Sequence, residues 1–102
     1  MARDGRGRGS LPRLVRLTIG YRGASHLRGG SPEARALAAT IHALASAPEL
    51  PETGDLSVLA DPNERGVQVL IHVRRVPGHN HWVWYTATDG ELLLSALTDS
   101  PP

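Results

Sequence analysis

The sequence predicts an α+β fold in which one helix packs on one face of a four- or five-stranded, largely antiparallel sheet. Three β-prone runs separated by two turn signals indicate an antiparallel meander, at residues 66–73, 81–86 and 92–94. One apolar stripe with helical spacing precedes them, between residues 31 and 47. With one further strand on each side of that helix, the predicted order is β-α-β-β-β-β.

The length of 102 residues fits one small domain with a single core. We expect this domain to span residues 13–98. Residues 1–12 form an Arg/Gly-rich arm without an apolar anchor, and we expect this arm to be disordered. Residues 99–102 end in Pro-Pro and are expected to form a loose tail.

The first strand is predicted over residues 13–21, because Val15 and Leu17 alternate there with Arg16 and Thr18. The helix opens at Ser31, whose hydroxyl suits an N-cap, and Pro32 and Glu33 suit its first turn. Six apolar residues then share one face: Ala34, Leu37, Ala38, Ile41, Leu44 and Ala45. Prolines at positions 48 and 51 end the helix.

A short second strand is predicted over residues 55–60, and the meander follows a turn. In the first meander strand we expect one row of side chains to face the helix, namely Val67, Val69, Ile71 and Val73. The other row, Gln68, Leu70, His72 and Arg74, is expected to face away from it. Arg75 falls on the apolar row, which predicts a bulge or a strand end at that point.

One helix of about 16 residues cannot cover both faces of a five-stranded sheet. We therefore expect an uncovered face that binds a partner through Arg16, Leu70, His72, Arg74 and Tyr85. In a chain without Phe, Trp82 and Trp84 are the favoured filler between helix and sheet. The alternative is an exposed platform on which a partner or a nucleic-acid base rests.

All eleven basic residues are Arg, and Lys, Phe and Cys are absent. This composition favours a bacterial source with GC-rich DNA, and the lack of cysteine excludes disulfides and thiolate metal sites. No apolar run is long enough for a membrane helix or a secretory signal, so we expect a cytoplasmic protein that does not enter a membrane.

Charge is distributed unevenly along the chain. Residues 1–30 hold seven Arg and one acid, whereas residues 31–102 hold four Arg and nine acids. A basic N-terminal region can bind phosphates, which makes nucleic-acid binding an alternative function. The residues predicted for it are Arg6, Arg8, Arg22 and Arg28.

Three histidines, His72, His79 and His81, could together hold a metal ion and support a small metal-dependent enzyme. The spacing lacks an adjacent carboxylate, so ordinary hairpin histidines are the competing interpretation. No nucleophile–base pair or acid–base pair stands out, and we assign no catalytic residue and expect no cofactor. The leading hypothesis is a non-catalytic protein–protein interaction module, a homodimer or a partner-binding accessory protein.

Overall fold

A computed structural model describes residues 11–18, 20–21, 29–61 and 64–102. Within them one helix and five strands follow in the predicted order: β1 (Leu14–Leu17), α1 (Pro32–Ser46), β2 (Leu56–Ala60), β3 (Val69–Arg75), β4 (Trp82–Ala87) and β5 (Glu91–Thr98). The predicted α+β class and element order are confirmed. The first strand is shorter than expected, because its pairing with β5 ends at Leu17.

The strands form one mixed sheet with the order β1-β5-β4-β3-β2. The meander β3-β4-β5 is antiparallel, β2 joins it antiparallel to β3, and β1 joins the other edge parallel to β5. The chain therefore places β1 and β2 at opposite edges of the sheet, and the connection between them contains α1.

The hairpin between β3 and β4 forms where the Pro-Gly signal predicts a turn. The amide of His79 donates to the carbonyl of Val76 at 3.2 Å, which closes a four-residue turn. Gly78 has a φ of 80°, a backbone conformation that side-chain-bearing residues rarely adopt.

The helix begins as its sequence predicts. The hydroxyl of Ser31 accepts a hydrogen bond from the amide of Ala34 at 3.1 Å, Pro32 occupies the first turn, and Glu33 lies near the positive end of the helix dipole. The buried face differs from the predicted stripe at two positions, since Thr40 is buried and Ala38 is exposed. Thr40 is accommodated there because its hydroxyl donates to the carbonyl of Ala36 at 2.9 Å.

The core lies between α1 and the middle of the sheet. Leu37, Ile41 and Leu44 of the helix pack on a cluster supplied mainly by β4 and β5: Val83, Tyr85, Leu92 and Leu94, with Tyr21 and Val76 at its margins. Because paired residues share a face, β3 presents Leu70, His72 and Arg74 on this helix side.

A register shift in the β4–β5 pair places a further leucine in the core. Trp84 pairs with Ala96, whereas the next residue, Tyr85, pairs with Leu94, so Ser95 is extra on β5. Leu94 and Leu97 are three positions apart and would face opposite sides of a regular strand. The extra residue lets both of them pack on the helix side.

The predicted assignment of faces is wrong for β3. Ile71 and Val73 are buried, but they lie on the side of the sheet opposite α1, and Trp84 pairs directly with Val73. Trp82 and Trp84 are therefore not the filler beneath the helix, a place that Val83 and Tyr85 take. We call the side opposite α1 the open face; its residues are Leu14, Arg16, Leu56, Val58, Ala60, Val69, Ile71, Val73, Arg75, Trp82, Trp84, Thr86, Glu91, Leu93, Ala96 and Thr98.

Candidate functional site

Neither a helix nor a strand of the described chain segments lies over the open face. Its apolar side chains are exposed most strongly at the two edges of the sheet, where Leu14 is 57% and Leu56 51% accessible. Trp82, Trp84 and Leu93 lie between these edges and are partly buried. On β3 the side chains of Ile71 and Val73 are already buried, so the exposed apolar side chains lie towards the two edges of this face, with the half-buried tryptophan rings between them. Exposed apolar side chains grouped on one face are typical of interaction sites.

Polar neighbours hold the two tryptophan rings in place. The indole nitrogen of Trp84 donates to the hydroxyl of Thr98 at 2.9 Å. The guanidinium carbon of Arg75 lies 5.6 Å from the ring centre of Trp82, in cation–π range. Because each ring is already oriented, a partner that covers it meets a preorganised surface and loses less side-chain entropy on binding.

Arg16 lies on the open face, as expected for a residue at the uncovered side. Its Nε donates to the carboxylate of Glu91 at 2.6 Å, and both side chains are exposed. An exposed pair of this kind contributes little to stability, about 0–1 kcal/mol. It provides instead one charge of each sign at the rim of the apolar surface, beside Leu14.

Tyr85 and Arg74 belong to a polar network on the helix side of the sheet. The sequence predicted them on the uncovered face, so their expected position is wrong. The carboxylate of Asp55 accepts from Arg74 Nε at 2.8 Å and from Arg74 Nη2 at 3.1 Å. It also accepts from the hydroxyl of Tyr85. Glu52 adds a second acidic partner, 3.4 Å from Arg74. The network ties the segment before β2 to β3 and β4.

This network governs the titration of its members. Burial raises the pKa of Tyr85, and its hydrogen bond to Asp55 and the charge of that carboxylate raise it further. Burial lowers the pKa of Arg74, but the hydrogen bond and charge of Asp55, with the charge of Glu52, outweigh burial and raise it above its ordinary value. Tyr85 therefore stays neutral and Arg74 charged, which is the state that the hydrogen bonds require.

Leu70 and His72 also lie on the helix side, beside the core rather than beneath the helix. The Nδ1 of His72 is 2.8 Å from the hydroxyl of Ser57 on β2, and its ring centre is 5.5 Å from that of Tyr85. Leu70 pairs with Leu59 of β2 and is 52% exposed. A binding role for this predicted set, Arg16, Leu70, His72, Arg74 and Tyr85, stays a prediction; its expected common face is not observed.

The three histidines proposed as metal ligands do not come together at one point, since only two of them are neighbours. His79 and His81 stack at 6.4 Å between ring centres, and His81 Nε2 lies 3.1 Å from the carboxylate of Glu33. His72 pairs with Tyr85, which comes four residues after His81. At the rise of a strand four residues span roughly 13 Å, so His72 lies away from the other two histidines. Within the described residues no group of three His, Cys, Asp or Glu side chains could hold a metal ion.

The phosphate-binding prediction rests on residues that lie outside the described chain: Arg6, Arg8, Arg22 and Arg28. Several described arginines are bonded within the chain. Arg75 donates to the carbonyl of His79 at 3.1 Å and to the side chain of Asn80 at 3.2 Å. Arg35 donates to the carbonyl of Gly30 at 2.8 Å.

Arg13 has a structural role that the sequence did not reveal. Its side chain is buried and donates to the carbonyl of Thr88 at 2.6 Å and to those of Leu44 and Ala47 at the helix C-terminus. Its amide donates to the carbonyl of Ala45 at 2.8 Å. A cation there complements the negative end of the helix dipole. The only sequence signal is its place two residues before Val15, on the row that faces the helix.

Comparisons with profiles of known protein families, with curated proteins and with solved structures found no match to this chain. In the described part of the chain, no helix has the length and apolar character needed to span a membrane.

Proposed function

We propose that this chain is a non-catalytic protein–protein interaction module that binds through the open face. One observation carries the proposal: the side of the sheet away from α1 exposes Leu14 and Leu56 at its edges and presents Trp82 and Trp84 between them. Tryptophan and arginine are the residues most enriched at the energetic centres of protein interfaces. A partner that covers this surface removes from water the apolar side chains that the helix does not cover, and this burial favours binding.

The arrangement of charge supports a protein partner of mixed polarity. An apolar centre bordered by Arg16, Arg75 and Glu91 resembles the layout of interfaces, which have an apolar core and a polar rim. Both signs of charge are present at this rim. We therefore expect the partner to present an apolar patch, either on a second copy or on another protein, rather than a phosphate backbone.

A single charge at the centre of the open face tests the proposal. Thr86 lies beside Leu93 there and is half-buried, so Thr86→Arg places a guanidinium where the partner docks. We expect the tagged wild-type chain to retain a partner during purification from its native cells and Thr86→Arg to lose it.

Ala39→Arg is the matched control, because Ala39 lies on the exposed side of α1. It adds the same charge on the opposite side of the sheet, and we expect it to retain the partner. Retention by both variants, or equal loss by both, would contradict the open face as the binding surface.

A further inference from the structure

In the described part of the chain, β2 is an edge strand whose own residues lack the usual protection. One side of its backbone pairs with β3, and the other side is an edge of the sheet. The sequence Leu56–Ala60 contains neither a charged residue nor a proline. Leu59 is 67% exposed on the helix side, and Leu56 is exposed on the open face. Natural proteins protect such an edge with charges, prolines or bulges because it recruits further strands.

The opposite edge shows the contrast within the same molecule. There β1 has only four residues, and its centre carries Arg16, which is paired with Glu91. A short strand with a charged side chain is a protected edge. The strand β2 is therefore the edge whose chemistry suits the addition of another strand.

We propose that β2 pairs in antiparallel orientation with β2 of a second copy of this chain. The two strands are related by a two-fold axis perpendicular to the sheet, so the two five-stranded sheets become continuous and both helices lie on the same side. This inference concerns the sheet edge, whereas the proposed function concerns the open face, and neither depends on the other.

The strand is complementary to itself in this orientation. With the axis at Val58, Leu56 of one copy stands opposite Ala60 of the other, and the two Val58 side chains stand opposite each other. On the helix side the two Leu59 side chains become diagonal neighbours, about 7–8 Å apart. Since Leu59 pairs with the exposed Leu70, the dimer joins four leucines into one cluster.

The carboxylates that flank β2 also meet in this register. With the axis at Val58, Asp55 of one copy stands opposite Asp61 of the other. Asp55 already accepts two hydrogen bonds from Arg74, which compensates its charge, and the apolar side chains between the two carboxylates carry the pairing.

The diagonal meeting of Leu59 with itself gives a specific test. Leu59→Lys and Leu59→Glu each place like charges across the axis, and we expect each to weaken the dimer about tenfold or more. An equimolar mixture of the two variants forms opposite-charge pairs, so we expect it to dimerise more tightly than either variant alone. Sedimentation velocity of the full chain across micromolar concentrations measures all four samples, wild type included.

Leu17→Lys is the control, because Leu17 is exposed on the helix side of the other edge strand, outside the open face, and we expect no change in dimerisation. Thermal unfolding verifies that each variant is folded. A monomeric wild type at high micromolar concentration, or Leu59 variants that dimerise like wild type, would overturn the edge-pairing inference. A dimer that Leu17→Lys weakens and the Leu59 variants do not would overturn it too, because the contact would then lie at the β1 edge.

Discussion

Two buried tyrosines differ in whether their hydroxyl groups are hydrogen-bonded. The hydroxyl of Tyr85 donates to Asp55, whereas the hydroxyl of Tyr21 is buried and has no hydrogen-bond partner among the described residues. A buried hydroxyl stabilises a fold only when it is hydrogen-bonded, and it costs free energy when it is not. The two side chains therefore form a matched pair for measuring the polar network.

We expect Tyr85→Phe to lower the free energy of unfolding by about 1–3 kcal/mol, since it leaves one acceptor of a buried carboxylate without its donor. We expect Tyr21→Phe to leave that free energy unchanged or to raise it, since it removes a hydroxyl without a partner. Urea unfolding of both variants measures the difference. Equal losses in the two variants would show that the bond to Asp55 does not stabilise the fold.

Arg13 is the second residue whose role can be isolated. Its guanidinium joins the C-terminal end of α1 to the β4–β5 hairpin through three carbonyls. Lysine keeps the charge but lacks the planar fork, so we expect Arg13→Lys to lower the free energy of unfolding by about 1–3 kcal/mol. Arg35→Lys, at an exposed arginine with one carbonyl partner, is the control and should change it by less than about 0.5 kcal/mol. A loss no larger than that of the control would contradict this role.

At the scale of elements, the sequence predicted which helix and strands form but not which way β3 faces. Turn residues and apolar spacing are local, so the meander and the cap at Ser31 were visible. Both rows of β3 contain apolar residues, and alternation alone therefore could not orient the strand. Arg74 faces the helix side because Asp55, nineteen residues earlier, neutralises it. That partner belongs to tertiary structure and left no local signal.

The predicted helix start permits a direct measurement. Ser31→Ala removes the acceptor of the Ala34 amide, and we expect a loss of about 1 kcal/mol in the free energy of unfolding. Ser46→Ala, at the exposed last residue of α1, makes the same chemical change and should cost less than about 0.5 kcal/mol. Equal effects of the two substitutions would show that the cap does not hold the helix.

At the scale of the whole molecule, the tyrosines couple stability to alkaline pH. Burial raises the pKa of Tyr21 from 10.0 to about 12, and the pKa of Tyr85 is raised as well. Between pH 10 and about pH 12 the tyrosine hydroxyls lose their protons in the unfolded chain but keep them in the folded chain. Stability is therefore undiminished below pH 10 and falls as pH rises towards 12, by up to about 1.4 kcal/mol per pH unit for each tyrosine.

Urea unfolding between pH 9 and 12 measures this dependence, and we expect Tyr21→Phe to fall less steeply than wild type. The substitution removes one of the two groups that titrate differently in the folded and unfolded states. A slope that the substitution leaves unchanged would contradict a raised pKa of Tyr21 in the folded chain.

Both tryptophans of the chain lie on the open face, so their fluorescence reports directly whether a partner covers it. The decisive measurement is acrylamide quenching of this fluorescence, in the free chain and in a complex reconstituted with the partner found in native cells, after the partner's own tryptophans have been replaced. We expect quenching to decrease in the complex. Unchanged quenching in a stable complex would place the partner elsewhere and contradict binding through the open face.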